Sequence, residues 1–208
     1  MTLHFYSRFH ICGIKSIVLC RKNQPDVWDE LSSSLSYRKN LVVVVVTLVF
    51  YQFFMCRTIK RFCDECKKDW ESVLRDKVVP LFEKLFDCQI KREVRCYIGF
   101  YPTYLRNISK RFFLLPYGVS YSRYLEIMIH EISHFYCYEA SGNALSSDKL
   151  WLLSEQIVPY IMKQFFEVKN PSMCYVREES IREKSLYSSW VEGKISFKEV
   201  VKTLKKNE

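Results

Sequence analysis

Glycine and proline are scarce in this chain, five and six in 208 residues. That excludes collagen-like and low-complexity architectures, which need far more of both. Histidine is scarcer still, at four. The nine cysteines are too sparse and too irregularly spaced for a disulfide scaffold. Their odd number points to mostly reduced thiols and a cytoplasmic setting. There is no Gly-Lys phosphate loop, no aromatic RNA-binding signature and no paired Cys/His finger. No uncharged apolar run reaches the roughly 20 residues that a membrane-spanning helix needs.

Apolar side chains are plentiful, 49% of the chain with 16% aromatic. That suffices for a real core in a chain long enough for one domain with an appendage. The net charge of +9 is unevenly spread. Residues 1–62 hold nine Lys/Arg against three Asp/Glu, a net +6, which leaves +3 to residues 63–208. A nucleic-acid binder would carry its basic stripe on the folded domain. The excess reads instead as a solvated basic region, and no nucleic-acid partner is expected.

Residues 1–40 look irregular. His4, Arg8, His10 and Lys15 interrupt the apolar residues, and no small-residue cleavage site is evident, so a secretory signal peptide is not expected. Leu41–Cys56 (LVVVVVTLVFYQFFMC) then carries no charge, with Thr47 and Gln52 its clearly polar members. Arg38 and Lys39 precede it, and Arg57, Lys60 and Arg61 follow. Its five consecutive valines favour an extended strand in water, because β-branching restricts χ1. Three readings stand: a buried strand, a single N-terminal membrane anchor, or an upstream region preceding a native start at Met55. The expected organisation is an extension over 1–56 and a folded domain over 57–208.

The periodicity predicts a short strand at 57–63 and an amphipathic helix at 65–87, where Trp70, Leu74, Val78, Leu81, Phe82, Leu85 and Phe86 recur at three and four. Pro80 should kink or break it. Strands follow at 92–100, with Val94, Cys96, Ile98 and Phe100 on one face, and at 111–116. Helices are expected at 121–139, at 148–167 with a kink at Pro159, and at 195–206. This order predicts an α+β fold with a small mixed sheet covered on one face. Arg177–Glu208, with eight basic and six acidic residues, reads as a solvated amphipathic helix. Trp190, Val191, Ile195, Phe197 and Val201 would give it a docking face.

One motif stands out: His130-Glu131-Ile132-Ser133-His134, inside a run without Gly or Pro. On a helix, positions i and i+4 share one face about 5–6 Å apart, close enough for two imidazoles to reach one metal ion. Glu131 can then act on a water without binding the metal. A shuffled chain of this composition holds about 0.006 such pentapeptides. Ile127, Met128, Ile129, Ile132 and Phe135 crowd the motif, and polar groups among apolar ones need partners.

A hydrolytic zinc site needs a third protein ligand. No His follows His134, so that ligand is a carboxylate or a thiolate. Glu155 is the best candidate, because Trp151, Leu152, Val158 and Pro159 at −4, −3, +3 and +4 are apolar and should turn it inward. Glu139 and Cys137 are the alternatives; Glu139 should face solvent and Cys137 should be a buried thiol. A structural reading of Glu155 pairs it with Arg123 or another base. Cys63-Asp64-Glu65-Cys66 is a lone CxxC and weak evidence for a second site.

HEISH with Glu155 twenty-one residues on resembles the gluzincin group of zinc metallopeptidases, in particular its minimal single-domain members. The resemblance is specific at His130, Glu131, His134 and Glu155 and covers roughly residues 90–166 in layout. It implies a zincin-like fold, a small mixed sheet packed on the motif helix and on further C-terminal helices. It implies Zn2+ held by His130, His134 and Glu155, Glu131 as general base, and a peptide or protein substrate. It would also place Phe100 and its strand at the sheet edge beside the cleft. Two departures stand out: the usual Asn-Glu pair is Ser154-Glu155, and no Asp follows four residues later. Tyr138, Tyr160, Tyr175 and Arg123 are candidate oxyanion donors. Two other readings remain open: a non-catalytic, zinc-stabilised binding domain, or a membrane-tethered adaptor in which the motif is accidental.

Overall fold

A computed structural model describes residues 1–7, 41–100, 106–142, 144–166 and 181–206. Its described residues form a mixed α and β structure with two compact units, and each has its own core.

One unit comprises residues 2–73 and 93–124. Its sheet has the order β1-β2-β4-β3, from β1 (Leu3–Tyr6), β2 (Val94–Gly99), β3 (Arg106–Asn107) and β4 (Phe112–Pro116). β1 and β4 flank β2 in parallel, and β3 returns antiparallel to β4. The turn into β4 is made by Asn107, whose side chain accepts from Lys110 N at 2.8 Å, and by Arg111 at φ 54°. β2 and β4 bury residues on both faces, which suits interior parallel strands. The expectation of a sheet covered on one face is therefore corrected: Tyr97, Phe112 and Leu114 pack on the side away from Cys96 and Phe113.

Two sequence expectations fail in this unit. Leu41–Cys56 is not a strand: Leu41–Phe54 forms helix α1. Residues 57–63 are not a strand either, but part of helix α2 (Cys56–Asp69). The physical reason is a buried row at helical spacing, Leu48 and Gln52, then Ile59, Cys63, Cys66 and Trp70. β-branching costs only tenths of a kcal/mol per residue in a helix, and burial of such a row outweighs it. α2 packs over β1 and β2. Gln52 caps the end of the sheet: its amide donates to Ser7 O at 3.3 Å and its carbonyl accepts from Phe100 N at 3.0 Å. Among the described residues no helix is long and apolar enough to cross a membrane.

A π-helical turn, Trp70–Leu74, joins α2 to α3 (Arg75–Phe86). Pro80 lies inside α3 without ending it. The second unit holds α3 with residues 87–92 and 125–208. Its elements are most of α4 (Tyr121–Ser141), then α5 (Ser147–Gln156), α6 (Val158–Phe166), α7 (Ile181–Val191) and α8 (Phe197–Lys205). The expected helix at 148–167 divides at Ile157, so that Pro159 sits in the first turn of α6, where its missing N–H is not needed.

The C-terminal segment is docked rather than solvated. Trp190, Val191, Phe197, Val200 and Val201 are buried. Trp190 donates its indole N–H to Leu85 O at 3.0 Å. The rings of Trp190 and Phe197 lie 5.2 and 4.8 Å from that of Phe86. Ser196 and Glu199 close a capping box at the start of α8.

Two variants test these cores by urea denaturation. Trp190→Ala should lose about 3–5 kcal/mol through the cavity it leaves, while Trp190→Phe should lose markedly less. Gln52→Leu should lose about 1–3 kcal/mol by stranding the Phe100 N–H. Equal stability to wild type in either alanine or leucine variant would contradict the packing described.

Candidate metal centre

The motif helix α4 is uninterrupted from Tyr121 and stops at Gly142, whose φ of 54° is left-handed and whose N–H bonds to Tyr138 O at 3.1 Å. Ile127, Met128, Ile129, Ile132 and Phe135 are all buried around the motif, as the sequence predicted. Ser133, within the motif, donates its hydroxyl to His130 O at 2.7 Å, which satisfies a buried polar group locally.

His130, Glu131 and His134 each offer a ligand atom, and these atoms lie within 4.8 Å of one another. The group could hold a metal ion. The two imidazole rings are 4.7 Å apart between centroids. Glu155, near the C-terminus of α5, faces both rings. Its Oε2 is 3.5 Å from His130 Nε2, and its Oε1 is 3.7 Å from His134 Nε2. The side chains of His130, His134 and Glu155 are 6%, 0% and 9% exposed. The expectation that Glu155 turns inward is met, and the structure brings it to both histidines.

These distances bear on what fits there. A charge-assisted N–H···O hydrogen bond is about 2.7–2.9 Å long, shorter than either contact. Two ligand atoms about 2.0–2.2 Å from one tetrahedral ion stand about 3.3–3.6 Å apart. The His130–Glu155 contact falls in this range and the His134–Glu155 contact, made by the other carboxylate oxygen, just above it, and imidazole and carboxylate are ligands that divalent ions accept.

The other candidates fall elsewhere. Glu139 is exposed in the last turn of α4, and Cys137 is buried. Ser154 turns its hydroxyl to Trp151 O at 2.8 Å. Tyr160 packs edge-on against Tyr187 at 5.6 Å. Tyr138 and Arg123 are half-buried on α4, and Tyr175 lies outside the described residues. The expectation for Phe100 is corrected: its strand, β2, is interior, held between β1 and β4 by ladders on both sides. Phe100 itself stacks edge-on with Tyr117 at 5.3 Å.

One supporting residue escaped the sequence reading. Gln156, buried beside Glu155, accepts a hydrogen bond from the Tyr187 hydroxyl at 3.0 Å, which ties α5 to α7. Thirty-one residues separate the pair, so no local spacing could signal it.

Cys63 and Cys66 sit one turn apart on α2, both buried as free thiols. Burial pushes Cys63 up to about 11, with Asp64 adding to the effect. Burial pushes Cys66 up to about 12, with Cys63 next in importance. Such thiols are packing groups, poor in thiolate at neutral pH. No family model, curated protein or solved structure matches the chain.

Native alkylation at pH 8 should modify exposed Cys56 well before Cys63 and Cys66, read by peptide mass mapping. Because folding raises both thiol pKa values above the ordinary 9.0, stability is present below pH 9 and falls as pH rises through about 11–12. Rapid modification of Cys66 in the folded protein would contradict its burial.

Proposed function

We propose that the protein is a zinc-dependent peptidase of gluzincin type. The observation that carries this reading is the approach of both Glu155 oxygens to the two motif imidazoles. His130, His134 and Glu155 would hold the ion, and Glu131 is left to act on the substrate side. A zinc ion bound there would lower the pKa of a water toward about 7 and polarise a carbonyl oxygen.

Glu131 carries the proton chemistry. Next to His130 on the same helix turn, its carboxylate accepts a proton from the attacking water as the C–O bond forms. It then delivers that proton to the leaving amine nitrogen as the C–N bond breaks. Ser133 and the apolar residues around the motif hold the helix rigid and keep water out, which strengthens the electrostatics at Glu131. Glu131 is itself buried, so a peptide reaches it only when neighbouring chain moves aside.

The reading makes a paired prediction. Glu131→Gln should retain about one zinc per chain while hydrolysis of a peptide library falls by roughly 10²–10⁴-fold. Glu155→Ala should weaken zinc binding by more than the roughly 100-fold that loss of an outer hydrogen-bond partner costs. Elemental analysis and a chelator-competition titration read the metal. Full turnover by Glu131→Gln would refute the mechanism. Undiminished zinc affinity in Glu155→Ala would remove the ligand assignment.

A further inference from the structure

The exposed side of the first two helices changes character at Met55. Along α1, Val46, Val49, Phe50, Phe53 and Phe54 are 60%, 40%, 58%, 81% and 67% exposed. They recur at three and four residues, so they form one apolar face. Met55 separates the two helices with φ −91° and ψ 14°, and Ile59 N bonds back to Met55 O at 2.9 Å in the first turn of α2. Leu48 and Gln52 are buried on α1, and Ile59, Cys63 and Cys66 on α2. Just beyond Met55 the start of α2 carries exposed Arg57, Lys60 and Arg61. Arg38 and Lys39 precede α1 in sequence.

Five large apolar side chains on one side of a short helix are not the scattered exposure of an ordinary surface. Fourteen residues span about 21 Å at 1.5 Å per residue, well short of a hydrocarbon core of about 30 Å. The helix is thus too short to cross a bilayer, and its other side is committed to its own unit through Leu48 and Gln52. An apolar stripe rich in Phe, followed by basic residues, matches the layered chemistry of an anionic membrane surface, with acyl chains below and negative headgroups above.

We infer that α1 and the start of α2 dock in the plane of an anionic lipid surface, with Val46, Phe50, Phe53 and Phe54 entering the acyl boundary and Arg57, Lys60 and Arg61 meeting the headgroups. This goes beyond the peptidase reading and stands or falls separately from it.

Co-sedimentation of the full chain with vesicles tests the inference. Vesicles of phosphatidylcholine mixed with phosphatidylserine should pull the protein down, pure phosphatidylcholine vesicles far less. Carbonate should release the bound protein. Replacing Arg57, Lys60 and Arg61 with Glu should weaken partitioning by roughly a hundredfold or more, on a contribution of about tenfold or somewhat less per charge. Phe50→Asp with Phe53→Asp should abolish it, while circular dichroism and metal content stay unchanged. Equal binding to both vesicle types, resistance to carbonate, or undiminished binding by the Phe variant would overturn the inference. A wild-type dimer in light scattering that the Phe variant dissolves would also overturn it, because a second copy would then cover the face.

Discussion

A carboxylate facing two imidazoles, all three side chains nearly inaccessible to water, is the constraint around which the second unit is arranged. Burying ionisable groups together is expensive unless each finds a partner. The cost disappears when a cation shares the three donor groups. The buried group of His130, Glu131 and His134 could hold such an ion.

Several ordinary features serve that arrangement. α4 runs for 21 residues without a helix breaker, so the i, i+4 spacing of His130 and His134 becomes a fixed relation in space. α5 ends at Gln156, immediately after Glu155, and the Tyr187–Gln156 hydrogen bond secures that end against α7. Pro159 then falls in the first turn of α6, which lets the chain turn at Ile157 without losing a needed N–H. The aromatic cluster of Phe82, Phe86, Tyr136, Trp190 and Phe197 lets α4 pack within a rigid unit. Tyr136 belongs to this cluster, and burial holds its phenol above the ordinary range, with Glu83 adding to the effect. The residues of α4 thus divide between two settings: His130, Glu131 and His134 form the group that could hold a metal, and Tyr136 packs in the aromatic cluster.

The legible parts of the chain were those where one face decides everything. The motif helix, the interior strands β2 and β4 and the capped α8 each have a local pattern strong enough to read alone. Glu155 was legible because four apolar helix neighbours leave a carboxylate only an inward direction. The failures share a cause in long-range pairing. Val42–Val46 reads as strand by propensity, yet the row Leu48, Gln52, Ile59, Cys63 decides for helix once there is a sheet for it to cover. Strand β1 could not be read because its partner, β2, lies ninety residues away. The docking face on Trp190 and Phe197 could be read, but not its partner Phe86, which lies more than a hundred residues away. Gln52 stood out only as a polar member of an apolar run; its partners are the backbone of Phe100 and Ser7, which only the fold brings near.

X-ray absorption at the zinc edge of the metal-loaded, full-length protein tests the central claim most directly. The account predicts about four light scatterers at about 2.0–2.2 Å, with the outer-shell signature of two imidazoles and no sulfur. A sulfur scatterer near 2.3 Å, or fewer than two imidazoles, would show that the ion is not held by His130, His134 and Glu155.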